Sequence, residues 1–141
     1  LPATDPDVEA TNRLAALLGV SEGSGNVALL GSVSVHAGAL ADRLPEIEVV
    51  AVDAATQVEA ERERVSRLVT GVALPFQPWT FRALAAVGDA VAPEEAVRVV
   101  GRGGRIVMER PAPAATVQLE RAGCRILLQE GDWVVALREN T

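Results

Sequence analysis

The 141-residue sequence predicts an α/β fold: a doubly wound, mostly parallel sheet with helices on both faces and an antiparallel hairpin at its carboxyl end. Two observations lead to this prediction. Short apolar runs typical of strands alternate with segments of helical periodicity, which favours parallel strands joined by helical crossovers. The last two apolar runs are separated by only Glu130, Gly131 and Asp132, a spacing typical of a hairpin.

The amino-terminal half begins with apolar residues at helical spacing over residues 7–18, which Thr4 or Asp5 could cap and Pro6 could open. Ser- and Gly-rich residues 19–25 predict a loop. The elements predicted next are strand 27–30, helix 36–44 ended by Pro45, strand 48–52, a charged solvated helix at 56–64 and strand 65–69.

In the carboxyl-terminal half, Pro75 and Pro78 exclude regular structure over residues 74–78. The elements predicted next are strand 81–87, helix 93–100, a turn at 101–104, strand 105–109, helix 115–122 ended by Gly123, and strands 125–129 and 133–137. No repeat or low-complexity tract interrupts this order. We therefore expect one domain over residues 1–141, with a helix and loop at 1–26 and the core at 27–138.

The composition limits the classes of function. All 13 basic residues are arginine, and 19 acidic residues bring the net charge to −6, so general binding of nucleic acid is not expected. No apolar run reaches the roughly 20 residues of a membrane-spanning helix. There is no secretory signal, although one could precede Leu1. Cys124 has no second cysteine to pair with, which agrees with a reducing compartment, and we expect a cytoplasmic protein.

The apolar content hints at a partner. Hydrophobic residues make up 49% of the chain, slightly more than a free-standing domain of this size needs, which suggests a surface covered by another protein. The alternative is an Ala-rich composition typical of a GC-rich genome.

Five motifs, in order along residues 27–138, resemble those of the class I S-adenosylmethionine-dependent methyltransferases. They are residues 29–35, at the place of an acid followed by Gly-x-Gly-x-Gly; 49–53, for the second strand and its terminal acid; 73–76 with 79–81, for "A-L-P-F…S-F-D"; 99–107, for "V-L-R-P-G-G-R-L-V"; and 119–124, for "L-E-R-A-G-F". The resemblance implies a Rossmann-like, methyltransferase-like three-layer sandwich.

The same motifs depart from the family where it holds its cofactor. In the family, glycines after the first strand let the backbone approach the cofactor, whereas here Gly31 is followed by Val33 and Val35. A β-branched residue resists the positive φ that glycine tolerates, and its methyl groups occupy space. Leu29 replaces the acid that would face the cofactor's ammonium group.

Two further acids of the family are replaced by Thr70 and Arg82, so that Asp53, in the family an acceptor from the ribose hydroxyls, is the polar contact that remains. The candidate cofactor-binding residues are therefore Gly31 and Asp53, which we interpret as a vestigial site. We therefore expect that the protein binds no cofactor. If it is an active enzyme instead, the expected cofactor is S-adenosylmethionine.

Other ligand chemistries have weaker support. A dinucleotide fingerprint would need glycine where Val33 and His36 stand, although Asp53 lies at the expected distance of ~20 residues. No cluster of His, Cys, Asp and Glu has the spacing of a metal site, and no nucleophile–base set is recognisable, so we predict neither a metal nor catalytic residues.

A few single residues have a functional and a structural interpretation. His36 is either a general base or part of a helix start, and Asp89 faces a substrate or serves turn chemistry. Trp79, beside Pro78, is a candidate anchor at a protein interface. The remaining three are expected to have structural roles: Cys124 and Met108 as core residues and Trp133 packed against a helix.

Two functions from different classes follow. The first is a non-catalytic methyltransferase-like domain that serves as a protein-binding or structural subunit of a larger assembly. The alternative is an active S-adenosylmethionine-dependent methyltransferase with an altered cofactor site. A third hypothesis, a sensor for another nucleotide, rests on Asp53 alone.

Overall fold

The computed structural model describes residues 6–20, 25–52, 65–68, 76–78, 80–88 and 90–139, with the backbone alone at 6–8, 32, 34, 35 and 65–68. In chain order the elements are α1 (Pro6–Leu18), β1 (Gly25–Leu30), a 3-10 helix (Gly31–His36), α2 (Ala37–Arg43), β2 (Ile47–Val52), β3 (Val65–Leu68), β4 (Phe81–Val87), α3 (Pro93–Val99), β5 (Val100–Glu109), α4 (Ala115–Arg121), β6 (Cys124–Glu130) and β7 (Trp133–Arg138). The predicted helix at 56–64 lies outside the described residues.

The seven described strands form one sheet in the order β3-β2-β1-β4-β5-β7-β6. The first five strands of that order pair in parallel, and β7 is inserted antiparallel between β5 and β6. The predicted parallel sheet with an antiparallel terminal hairpin is therefore confirmed. Gly131, at φ 58°, makes the two-residue loop of the hairpin possible, because such loops need positive φ.

The sheet is covered on both faces by helices, as the strand patterns predict. Along β1, Val27 and Leu29 pack with α1 and α2, while Ala28 and Leu30 pack with the residues of α3 and α4. We call these the α1–α2 face and the α3–α4 face. The alternation follows from the two-residue period of a strand whose two faces are both buried.

Helix α3 shows how local sequence sets an element. Pro93 occupies its first turn, where the missing N–H costs nothing, and Glu94 and Glu95 lie at the amino-terminal end of the helix dipole. Arg98 in the last turn complements the opposite end. The helix ends at Val99, one residue earlier than predicted.

Two predicted elements differ in more than the position of their end residues. The segment predicted as helix 36–44 is a shorter α2 preceded by the 3-10 helix Gly31–His36. The predicted turn at residues 101–104 is part of β5: Phe81 pairs with Val100 and Ala83 with Arg105, so the four residues between them form a bulge. The glycines mark a local excursion of the strand rather than its end.

Candidate functional site

The order in which strands are added to the sheet reverses at β1, so a binding site is expected at the carboxyl edge of the sheet. β2 and β3 extend from one side of β1, whereas β4 and β5 extend from the other. In open α/β sheets ligands bind in the crevice at such a switch point. Here the crevice is bounded by the 3-10 helix after β1 and the loop after β4.

Gly31 begins the 3-10 helix with a positive φ of 78°. A Cβ built at this position would lie 3.2 Å from Ala90 Cβ and 3.9 Å from Val87 Cβ. The glycine therefore lets the turn after β1 approach the loop after β4 closely. On the side of the β4 loop, the backbone of Gly31 therefore faces Val87 and Ala90.

The two apolar residues that replace polar or glycine positions are core residues. Leu29 is fully buried, and Val33 is 5% exposed. Both belong to the apolar cluster on the α1–α2 face, together with Leu14 of α1 and Leu40 of α2. The side chain of Val35 is outside the described part of the structure.

A cavity of about 390 Å³ opens beside this cluster, at the carboxyl edge. Its lining comes from α1, the 3-10 helix, the end of β5 and the start of β7: Glu9, Ala10, Arg13, Leu14, Val33, His36, Glu109 and Trp133. It combines two carboxylates, a guanidinium, an imidazole and an indole. A small polar molecule could be held there by these groups, and the described lining residues include no cysteine or serine that could act as a nucleophile.

His36 is tied to the amino-terminal helix. Its Nδ1 lies 3.4 Å from Oγ1 of Thr11, a buried polar side chain of α1. His36 also precedes α2 without a side-chain capping hydrogen bond. The histidine thus connects two helices at the wall of the cavity.

Backbone hydrogen bonds join the loops at the same carboxyl edge of the sheet. The Gly88 N–H donates to the Glu109 carbonyl at 2.8 Å, which joins the turn after β4 to the end of β5. Arg110 adopts a left-handed φ of 51°, and its N–H donates to the Asp132 carbonyl at 2.6 Å. The left-handed conformation, unusual for a residue other than glycine, places the hairpin loop against the end of β5.

A second cavity, of about 540 Å³, lies on the α3–α4 face and is mainly apolar. It is lined by Gly88, Ala90, Val91, Ala92, Pro93, Glu94, Met108, Ala112, Ala115 and Gln118. Among the lining residues that the structure describes, Glu94 of α3 is the charged one. Compared with the first cavity, it offers little specific chemistry.

The structure places the predicted residues as follows. Gly31 is at the switch point, whereas Asp53, Thr70, Trp79 and Asp89 lie outside the described residues. Cys124, at 6% exposure, and Met108, at 1%, are core residues, as interpreted from the sequence. Burial raises the pKa of the Cys124 thiol to about 11, a rise that the nearby Arg138 opposes.

Trp133 and Arg82 have contacts beyond those expected from the sequence. Trp133 packs against the apolar cluster on the α1–α2 face, and it lines the first cavity together with residues of α1. Arg82, at the place of a family acid, donates to the Gly19 carbonyl at 3.4 Å. Its stem lies against Gly25, so this residue supports the loop before β1.

Sequence reasoning missed Glu9, Arg13 and Glu109 as cavity residues. Glu9 and Arg13 have the spacing of an exposed helical pair, and Glu109 stands at a strand end next to a proline-rich loop. No local signal brings α1 together with β5, because that contact depends on how the helix crosses the sheet.

Neither a metal site nor a membrane-spanning helix is found among the residues that the structure describes. Among them, no group of three or more His, Cys, Asp or Glu side chains is placed to hold a metal ion. The helices in the described ranges include none that is long and apolar enough to cross a membrane.

Comparison with protein-family models and with curated protein sequences gives no match. Solved structures do match. The Haloferax volcanii complex between the Trm112 methyltransferase activator and its assigned methyltransferase aligns at 15% identity and a TM-score of 0.72, over 96% of this chain and 91% of that chain. A Methanococcus maripaludis protein assigned as an S-adenosylmethionine-dependent methyltransferase aligns at 14% identity and a TM-score of 0.64, over 96% and 85% of the two chains.

The antibiotic-resistance methyltransferase Kmr is similar at 15% identity and a TM-score of 0.66, with 93% of each chain covered. These alignments extend over nearly the whole chain, and they agree with the strand order and the terminal hairpin described above. At such low identity the shared property is the architecture. The chain has the fold of the class I S-adenosylmethionine-dependent methyltransferases.

Proposed function

We propose that this chain is a methyltransferase-like domain that no longer binds the cofactor and serves as a protein-binding or structural subunit of a larger assembly. The observation that carries the proposal is the complete burial of Leu29 in the apolar cluster on the α1–α2 face. The resemblance to the family would place an acid here, facing the cofactor's ammonium group.

The neighbouring residues support the same proposal. Val33, at a family glycine position, packs in that cluster, and the close approach allowed by Gly31 is to Ala90. The described residues therefore fit S-adenosylmethionine poorly, because an ammonium group at the position that the resemblance implies would meet Leu29 and Val33 in place of the family's acid. Losing such a charge-assisted contact typically costs ~1.5–3 kcal/mol.

A protein-binding role is supported by the charge and by one of the matched structures. The net charge of −6 disfavours phosphate backbones as partners. The Haloferax volcanii structure is a complex with a protein activator, so a chain of this fold can present a surface to another protein. From the sequence we nominate Trp79 as an anchor of that surface.

The second candidate is an active methyltransferase with an altered cofactor site. The cavity of about 390 Å³ favours it, since His36 and Glu109 line a polar space at the carboxyl edge. The similarity to S-adenosylmethionine-dependent methyltransferases and to a geranyl diphosphate methyltransferase solved with sinefungin makes S-adenosylmethionine the cofactor to test.

A thermal unfolding assay separates the two candidates. A ligand at a hundredfold excess over its Kd stabilises the folded state by ~2.7 kcal/mol. For a domain of this size that free energy corresponds to a rise in Tm of roughly 8 °C. We expect no measurable rise with S-adenosylmethionine, S-adenosylhomocysteine or sinefungin. A rise of several degrees that His36→Ala or Glu109→Gln abolishes, while Glu48→Gln leaves it intact, would support the active enzyme instead.

The protein-binding role is tested with Trp79→Ala and Asp53→Ala in the same pull-down or assembly assay. Truncating a buried interface aromatic typically costs ~2 kcal/mol, roughly a thirtyfold loss of affinity. We expect that loss for Trp79→Ala and near-normal assembly for Asp53→Ala. The opposite pattern would replace the subunit hypothesis with a ligand-binding one.

A further inference from the structure

Strand β6 is the outermost strand of the sheet next to β7, and it carries two exposed leucines. Leu127 is 40% and Leu128 36% exposed, unusual values for large apolar residues in the middle of a strand. On the α3–α4 face β6 is covered by α4, and on the opposite face α1 packs against β4 and β5. An edge strand with exposed apolar side chains is a template for pairing with another strand.

The register of β6 against β7 shows which side chains share a face. Arg125, Leu128 and Glu130 pair with Leu137, Val135 and Trp133 respectively. Those three partners alternate along β7, so they lie on one face, the α1–α2 face to which Val135 and Trp133 belong.

A one-residue bulge makes this arrangement possible. The register shifts between Ile126 and Leu128, so Leu127 and Leu128 together stand opposite Val135. In a regular strand, Arg125 and Glu130 are five residues apart and would point to opposite faces. Because of the extra residue, they point to the same face.

We infer that β6 pairs antiparallel with β6 of a second copy of this chain, forming a symmetric dimer with a continuous sheet. A two-fold axis perpendicular to the sheet keeps the α1–α2 faces of both copies on the same side, so directly opposed residues must come from the same face. One register opposes Arg125 to Glu130 of the second copy and Leu127 to Leu128 of the second copy. By symmetry each contact occurs twice.

This register places opposite charges next to one another and also buries the exposed apolar side chains. Arg125, whose side chain is 61% accessible and lies 3.6 Å from the Glu139 carboxylate of its own chain, additionally meets an acidic residue of the other copy. The four leucines meet around the axis, where pairing removes their exposed surface from water. Registers that oppose Leu127 or Leu128 to itself place Arg125 out of line with Glu130. A second copy is therefore the partner for which this edge is complementary.

The inference names one partner for the protein-binding role proposed above, but it does not depend on the loss of cofactor binding. Two seven-residue strands bury less surface than the ~1,600 Å² of a standard interface, so the dimer belongs to the weak, concentration-dependent class. Sedimentation velocity over a series of protein concentrations, without cofactor, measures its Kd directly.

Charge reversal tests the register. Arg125→Glu and Glu130→Arg each place like charges opposite one another twice, and we expect each to raise the dimer Kd roughly tenfold. The double variant exchanges the charges and should return the Kd to near the original value. Arg43→Glu, an exposed change on α2, is the matched control and should have no effect. A chain that stays monomeric at every concentration, or a double variant no better than the single ones, would overturn the inference.

A disulfide experiment checks the same register independently of charge. Directly opposed residues have Cβ atoms ~4.5–5.5 Å apart, whereas diagonal neighbours are ~7–8 Å apart. Under mild oxidation, a mixture of the Leu127→Cys and Leu128→Cys variants should form a cross-linked dimer faster than either variant alone. Equal rates in all three samples would contradict this pairing, and the result is independent of whether S-adenosylmethionine binds.

Discussion

Thr11 of α1 and His36 at the start of α2 are in contact, with the threonine Oγ1 3.4 Å from the imidazole Nδ1. Thr11 is 1% exposed, so its hydroxyl has been removed from water and depends on protein partners. The contact fastens the amino-terminal helix to the segment that follows β1. It also holds His36 at the wall of the cavity described above.

Replacing Thr11 by Val should therefore destabilise the fold, because the variant keeps the side-chain shape and loses the hydrogen bond. We expect a loss of ~0.5–1.5 kcal/mol in the free energy of unfolding, measured by urea denaturation. Asn12→Ala, at the exposed neighbouring position, is the control. A Thr11→Val protein as stable as the original would mean that the hydroxyl contributes nothing.

Gly31 and Gly103 form a matched pair for testing the turn after β1. Both have a φ of 78°, but a Cβ would lie 3.2 Å from Ala90 Cβ at Gly31 and would meet no atom within 4 Å at Gly103. Each substitution to Ala should cost ~1–2 kcal/mol for the left-handed backbone. Gly31→Ala should cost more than Gly103→Ala in the same denaturation assay, and equal losses would show that the contact with Ala90 is unimportant.

Arg138 of β7 links the last strand to the end of α3. Its guanidinium donates to the carbonyl oxygens of Val97, at 2.6 Å, and of Val100. These carbonyls lie at the carboxyl-terminal end of the helix, where a cation is favourable. We expect Arg138→Leu to lower the free energy of unfolding by ~1.5–3 kcal/mol. Arg121→Leu, on the exposed side of α4, should change it little; similar losses for both variants would contradict the proposed role.

The Cys124 thiol should react slowly while the protein is folded. Burial raises its pKa to about 11, although Arg138 acts in the opposite direction. At pH 8 the thiolate fraction is then ~0.1%, against roughly a quarter for a free thiol with a pKa of ~8.5. Alkylation, followed by mass spectrometry, should therefore be roughly two hundredfold slower in the native protein than in denaturant. Equal rates would show that Cys124 is accessible.

The raised pKa of Cys124 also determines how the stability of the fold changes with pH. The pKa of Cys124 is higher in the folded chain than in the unfolded chain, so the folded state favours the protonated thiol. Its contribution to stability is complete below pH ~8.5 and is lost as the pH rises toward 11. Cys124→Ala should remove this part of the alkaline loss of stability, which denaturation curves at several pH values would detect.

The sequence by itself determined the order of elements and the class of fold. Apolar runs such as residues 27–30 and 81–87 have the length and composition of buried strands, and the three residues from Glu130 to Asp132 predict the hairpin. These signals are local, since a strand's period and a turn's glycine depend on neighbouring residues. The insertion of β7 beside β5 is not among these local signals, because pairing between distant strands depends on the tertiary structure.

The tertiary structure decided which residues meet. The sequence of residues 101–104 predicts a turn. Because β4 pairs with β5 both before and after these residues, they form a bulge within one strand instead. Glu9 and Glu109 share a cavity only because α1 crosses the sheet near the end of β5. The bulge at Leu127 likewise depends on pairing with β7, and it alone brings Arg125 and Glu130 to one face. Packing between distant segments has no local code, so neither the cavity nor the edge of β6 could be predicted from the sequence alone.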